Sequence, residues 1–165
     1  MPQTYRHLLR NGAVIYIAED HSVPLVDIRV HIKTGGYLDP PGKAGLAAMT
    51  GSQLRAGGTL SRGADKFDED VAVLAADIRS SISATEGSAR LNCLARNISP
   101  ALALFLEMLR SPRFQADRMD LYRERALESM RSRNDDIEQV ETREWIRLMR
   151  GDGHFATTWS NPEIA

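Results

Sequence analysis

The stretch from Val26 to Lys33, VDIRVHIK, alternates without a break. Val26, Ile28, Val30 and Ile32 fall on one side of an extended chain, and Asp27, Arg29, His31 and Lys33 on the other. Successive side chains of a strand point to opposite faces, so this is a strand with one buried and one wetted face. It needs an apolar layer laid against the first set. Any fold for this chain has to supply that layer.

The rest of the sequence provides it. Residues 4–19 read as a hairpin, YRHLL and AVIYIAE, joined by Asn11-Gly12 as a two-residue turn in which both positions tolerate positive φ. Gly35-Gly36 ends the alternating strand, and Pro40-Pro41-Gly42 imposes an extended loop. GLAAMTGSQLRAGGT, residues 45–59, has the frame of a short helix entered and left through glycines. Residues 67–76 form a second helix with acids in its first turn. IRSSISAT and SARLNCLAR are an antiparallel pair joined at Glu86-Gly87. Pro100 at the first helical position, with Ser99 as cap, opens a helix that Pro112 ends. Two further helices run over about 115–133 and 137–150, the latter stopped by Gly151-Asp152-Gly153.

The order β-β-β-α-α-β-β-α-α-α, with hairpins in place of regular βαβ units, predicts an α+β fold: a mainly antiparallel sheet packed on one side by helices. At 165 residues the chain is a single domain over 1–165. Its last stretch, HFATTWSNPEIA, is polar and brings no closing element. The domain is therefore expected to be incomplete at its C-terminal end and to leave an exposed strand edge.

The net charge of −1 gives no electrostatic case for nucleic acid or an anionic membrane as partner. No apolar run approaches the roughly 20 residues that span a bilayer. MPQTYRHLL lacks the apolar centre of a signal peptide, and the compartment stays open between bacterial periplasm and cytoplasm. Cys93 is the one cysteine, so it forms no internal disulfide and reads as a small buried hydrophobe. His7, His21, His31 and His154 share no metal-ligand spacing and read as surface or hydrogen-bonded residues. Ser52 lacks a G-x-S-x-G setting, and Gly57-Gly58-Thr59 follows a helix where a phosphate cradle would precede one. YRERALESMRSRNDD presents a mixed-sign solvated face with Leu121, Leu127 and Met130 on one stripe, the sharper alternative being a partner surface.

Several short segments stand in a telling order: Leu9-Arg10-Asn11-Gly12, His31 to Gly36, Gly45-Leu46-Ala47 with Gly57-Gly58-Thr59, Ser111-Pro112-Arg113-Phe114, and Arg131 to Asp136. Together they resemble the N-terminal domain of the M16 peptidases, the insulinase, pitrilysin and mitochondrial processing peptidase family. In active members the glycine-framed helix carries H-x-x-E-H. Its two histidines, one turn apart, hold a zinc ion, and the Glu takes a proton from the metal-bound water. Aligned on the flanking glycines, the motif falls on Ala48, Gly51 and Ser52. The third ligand, a Glu on a later helix, falls at Glu128 or Ser129, with Asn134-Asp135-Asp136 favouring Ser129.

Zinc lowers the pKa of its bound water from about 15.7 to about 7, on the order of 12 kcal/mol of help in making hydroxide. No side chain at these positions replaces that. The resemblance thus implies a pseudoenzyme: a non-catalytic M16-like subunit holding no zinc or other cofactor itself. It would pair with an active HxxEH subunit or a second M16-like half, zinc residing in the active partner. Together they would hold an unfolded peptide through main-chain hydrogen bonds at a sheet edge. The substrate-binding Arg and Tyr of such subunits belong to a C-terminal domain beyond residue 165. Two alternatives stay open: an active zinc metalloendopeptidase whose ligands are misaligned or lie outside this chain, and a structural subunit of a larger complex.

Overall fold

A computed structural model describes residues 3–151. The strands are β1 (Thr4–Leu8), β2 (Val14–Ala18), β3 (Leu25–Ile32), β4 (Asp77–Ile82) and β5 (Gly87–Leu94). The α-helices are α1 (Leu46–Ala56), α2 (Ala64–Val73), α3 (Ile98–Arg110), α4 (Ala116–Ser132) and α5 (Ile137–Arg150), with short 3-10 turns at Gly36–Leu38 and Ala95–Asn97. The predicted order of elements holds, and all strand pairing is antiparallel. β1 and β2 form a two-stranded ribbon, and β3, β5 and β4 form a three-stranded sheet in that spatial order. β3 and β4 are therefore the edges of that sheet.

The alternating pattern of β3 finds its layer in α2 and α3. Phe67 and Val71 of α2 and Ala101, Leu104, Phe105 and Met108 of α3 close over Ile78, Ala89, Leu91 and Cys93, and Ile28 and Val30 pack at the margin of this core. Cys93 is buried, as its place in an alternating segment implies, and burial pushes its thiol pKa up. The opposite face of the sheet carries the charged residues. α4 and α5 contain no buried residue, and Ile137, Trp145, Leu148 and Met149 of α5 are exposed.

Four local expectations are corrected. Register pairs Leu8 with Val14, and Leu9 N donates to Ala13 O, so the first turn is Arg10-Asn11-Gly12 rather than a two-residue Asn-Gly turn. Only Gly12 takes positive φ, while Asn11 accepts from Ala13 N through its side chain. α2 starts at Ala64, three residues early, because Gly63 is extended and the helix needs only a small buried residue there; Asp65 is the acid of its first turn. The β4–β5 connection is Ser83 to Glu86, with Gly87 already in the strand opposite Ile82. Pro100 lies in the third helical position of α3, still within the first turn where its missing N–H costs no bond. Asn97, not Ser99, precedes the helix, and its side chain donates to Leu74 O. The segment from Asp152 onward, with His154, lies outside the described residues.

Two sequence marks prove to be partners. Leu60 N donates to Ser111 O, Arg113 N to Gly58 O, and Gln115 N to Gly57 O, so the strip after α1 is laced to the strip after α3. Fully buried Thr59 donates to Glu107 Oε1 at 2.6 Å, Ser61 donates to the same oxygen, and Arg62 bonds both Glu107 and Asp70. Burial alone would raise the Glu107 pKa. Hydrogen bonds from Ser61 and Thr59 and the Arg62 charge outweigh it and hold the carboxyl below its ordinary value.

A carboxylate whose folded pKa is depressed stabilises the fold above its unfolded value, and that contribution disappears as pH falls through the folded one. Glu107→Gln is expected to lower stability at neutral pH and to make the loss of stability as pH falls below the ordinary glutamate range shallower. Urea unfolding across that range measures both effects.

Candidate functional site

The entry of α1 is built by a residue outside it. Gly45 supplies no capping side chain, but Asp39 accepts from Gly45 N at 2.8 Å and from Ala47 N at 2.9 Å. A carboxylate on the free N–H groups also suits the positive end of the helix dipole. Asp39 was not singled out in the sequence because it precedes the helix by seven residues, across the proline loop.

α1 then lies against β4. The Ser80 hydroxyl donates to Gly51 O at 2.7 Å, and Arg55 Nε donates to Ile78 O at 3.0 Å. The Arg55 guanidinium also pairs with Asp68 and sits 5.1 Å from the Phe67 ring centroid. Gly51 is buried, and a methyl group in its place would overlap the backbone N of Ile82. That methyl would stand 2.7 Å from the Ser81 carbonyl carbon and 2.9 Å from Ile82 Cγ1. Helix and strand meet backbone to backbone here.

Beside that contact runs a groove of about 360 Å³, lined by Ala48, Ser52 and Arg55 of α1 and by Arg79, Ser80 and Ile82 of β4, among others. It follows the edge of β4 that pairs with no other strand among the described residues. Ser83 N donates to Glu86 O and closes the hairpin, so by alternation Ser81 and Arg79 turn their backbone groups toward β5. Ile82, Ser80 and Ile78 then turn theirs outward, in agreement with the bond from Arg55 to Ile78 O.

The structure brings Ala48, Gly51 and Ser52 to one face of α1 beside this edge. Glu128 and Ser129 lie on the neighbouring helix α4. Although α4 packs on α1, Glu128 is exposed, pairs with Arg131 at 3.4 Å, and lines a separate depression with Leu121, Glu124 and Leu127. Ser129 is exposed too, its carbonyl accepting from Ser132. Among the described residues no three His, Cys, Asp or Glu side chains are grouped to hold a metal ion. Of the sequence-noted histidines, His31 stands 4.0 Å from Glu86 and His21 3.9 Å from Glu19, all exposed.

A glycine-framed helix packed on the edge strand of an antiparallel sheet, on the face that α2 and α3 also cover, makes this an α+β domain with helices on one side of the sheet. The family model for insulinase, peptidase family M16, matches residues 14–162, and the chain belongs to that family. Solved structures share the fold. A peptidase M16 inactive domain from Pseudomonas fluorescens matches with a TM-score of 0.86 at 21% identity, over 94% of this chain and 38% of that one. The periplasmic protease PqqL from Escherichia coli matches with a TM-score of 0.81 at 12% identity, over 98% of this chain and 18% of that one. A protease from Helicobacter pylori matches with a TM-score of 0.66 at 24% identity, over 82% and 32%. The chain thus spans well under half the length of each of these structures. Comparison with curated proteins finds no match.

The family's zinc does not fit the residues present on α1. At the positions onto which the resemblance places the zinc motif, Ala48 and Ser52 offer a methyl group and a hydroxyl, and the space a Glu side chain would need at residue 51 is filled by the backbone of β4. Gly51→Ala is expected to cost about 1–3 kcal/mol by overpacking, read in chemical denaturation. The triple substitution Ala48→His, Gly51→Glu, Ser52→His is expected to fold poorly or to leave zinc substoichiometric after dialysis, as metal analysis would report.

Proposed function

We propose that this chain is the non-catalytic member of an M16 pair, joining a subunit with an intact HxxEH motif and holding an unfolded peptide along the outward edge of β4. The observation that carries the reading is the groove itself. The helix that would present zinc ligands borders an open strand edge, yet offers it Ala48 and Ser52. Such an edge binds extended chains by main-chain hydrogen bonds, and the outward N–H and C=O of Ser80 are of the kind required. Arg55 already occupies Ile78 O, so the usable edge is short and centred on Ser80. A weak grip of this kind suits a subunit that positions substrate for a catalytic partner.

Alone, the chain is expected to show no chelator-sensitive peptide cleavage. Mixed with an HxxEH-bearing M16 subunit from the same source, it should form a complex and raise the cleavage rate of an unfolded peptide. Unchanged cleavage and no complex would defeat the proposal. One tightly held zinc per chain together with chelator-sensitive activity would favour an active metalloendopeptidase instead.

A further inference from the structure

The wetted face of the three-stranded sheet carries an ordered set of charges. β3 contains Asp27-Ile28-Arg29 and β4 contains Asp77-Ile78-Arg79, the same three residues on the two strands that flank β5. Register places Asp27, Asn92 and Asp77 in one row across the sheet, and Arg29, Arg90 and Arg79 in the next. Neighbouring strands lie about 4.8 Å apart, so three guanidinium groups stand side by side, an arrangement that like-charge repulsion opposes. Two carboxylates offset it. Asp27 accepts from Arg29 Nε and Arg90 Nε, each at 2.8 Å, and from Asn92 at 3.2 Å, and these bonds, Arg90 foremost, depress its pKa. Asp77 accepts from Arg79 Nε at 2.9 Å.

The row is one carboxylate short, with three arginines against two aspartates. Arg79 stands at its open end. Its Nε is fixed by Asp77, which aims the guanidinium, while its terminal nitrogens make no bond among the described residues and the side chain is 73% exposed. The same residue lines the groove beside α1. A strand that bonds to Ser80 would place one of its own side chains next to Arg79, as the fourth member of the row. Lys or Arg at that position would extend the repulsion, and Asp or Glu would complete the charge balance.

We infer that the β4 groove selects extended peptide segments bearing an acidic residue beside Arg79, the arginine row acting as the specificity determinant. The inference rests on the edge-binding reading above and names the substrate class of that site. The test uses the full chain and Thr/Val-rich peptides that differ only in one central residue, Glu, Gln or Lys, with affinity measured by fluorescence anisotropy. The Glu peptide is expected to bind about two- to fivefold more tightly than the Gln peptide, and the Lys peptide to bind more weakly by a similar factor. Arg79→Glu should invert this order, Arg79→Gln should abolish it, and Arg29→Glu, at the far end of the row, should preserve it. Equal binding of the three peptides, or an order unaffected by Arg79→Glu, would overturn the acidic preference and leave edge binding intact. Absence of binding by all three would overturn both.

Discussion

The contact between Gly51 and the backbone of β4 decides most of what this domain can do. A helix approaches a strand this closely only where no Cβ intervenes, and here the approach is held by the Ser80 hydroxyl on Gly51 O and by Arg55 on Ile78 O. β4 is in turn fixed by its ladder to β5, whose Leu91 is fully buried beneath α2 and α3. The position of α1 is thus referred directly to the core. With Asp39 setting the entry of the helix and the bonds from Gly57 and Gly58 to the strip after α3 setting its exit, α1 has little freedom to move.

Periodicity and punctuation made the fold legible. The alternation of β3 and β5 required a one-sided core, and Gly57-Gly58 and Pro112 marked element ends correctly. Boundaries went astray where a signal had two physical readings. Asn11-Gly12 fits both a two-residue turn and the end of a three-residue one, and only the cross-strand register separates them. Pro100 suits any position in the first turn, so it located the start of α3 only to within two residues.

The site was legible in part. The glycines framing α1 located the helix that carries Ala48, Gly51 and Ser52, and the structure sets these residues beside β4. Glu128 and Ser129 lie on another helix, and their distance from α1 depends on how α4 packs, which counting along the chain does not reveal. The roles of Asp39 and Arg55 depend on loop and strand placement in the same way. The arginine row is the clearest case: Arg29, Arg79 and Arg90 are scattered in sequence, and only the register of both β-ladders makes them neighbours.

These features bear on whether the family's chemistry is dormant in this domain or structurally foreclosed. A zinc site needs room between helix and strand for two imidazoles, a carboxylate and a water, with polar groups left free to meet them. In this chain Ala48 and Ser52 border the groove, but the room at residue 51 is filled by β4: the Ser80 hydroxyl bonds a helix carbonyl, and Arg55 reaches across to a strand carbonyl while pairing with Asp68. Each is a satisfied bond that would have to break before β4 could withdraw from residue 51. The withdrawal would also strain the ladder to β5 and the core beneath it. Packing of this kind stabilises a domain in a way an open catalytic cleft does not. The side chain at residue 51 and the closeness of helix to strand are therefore coupled, and a carboxylate placed there would need a shift of the β4 backbone.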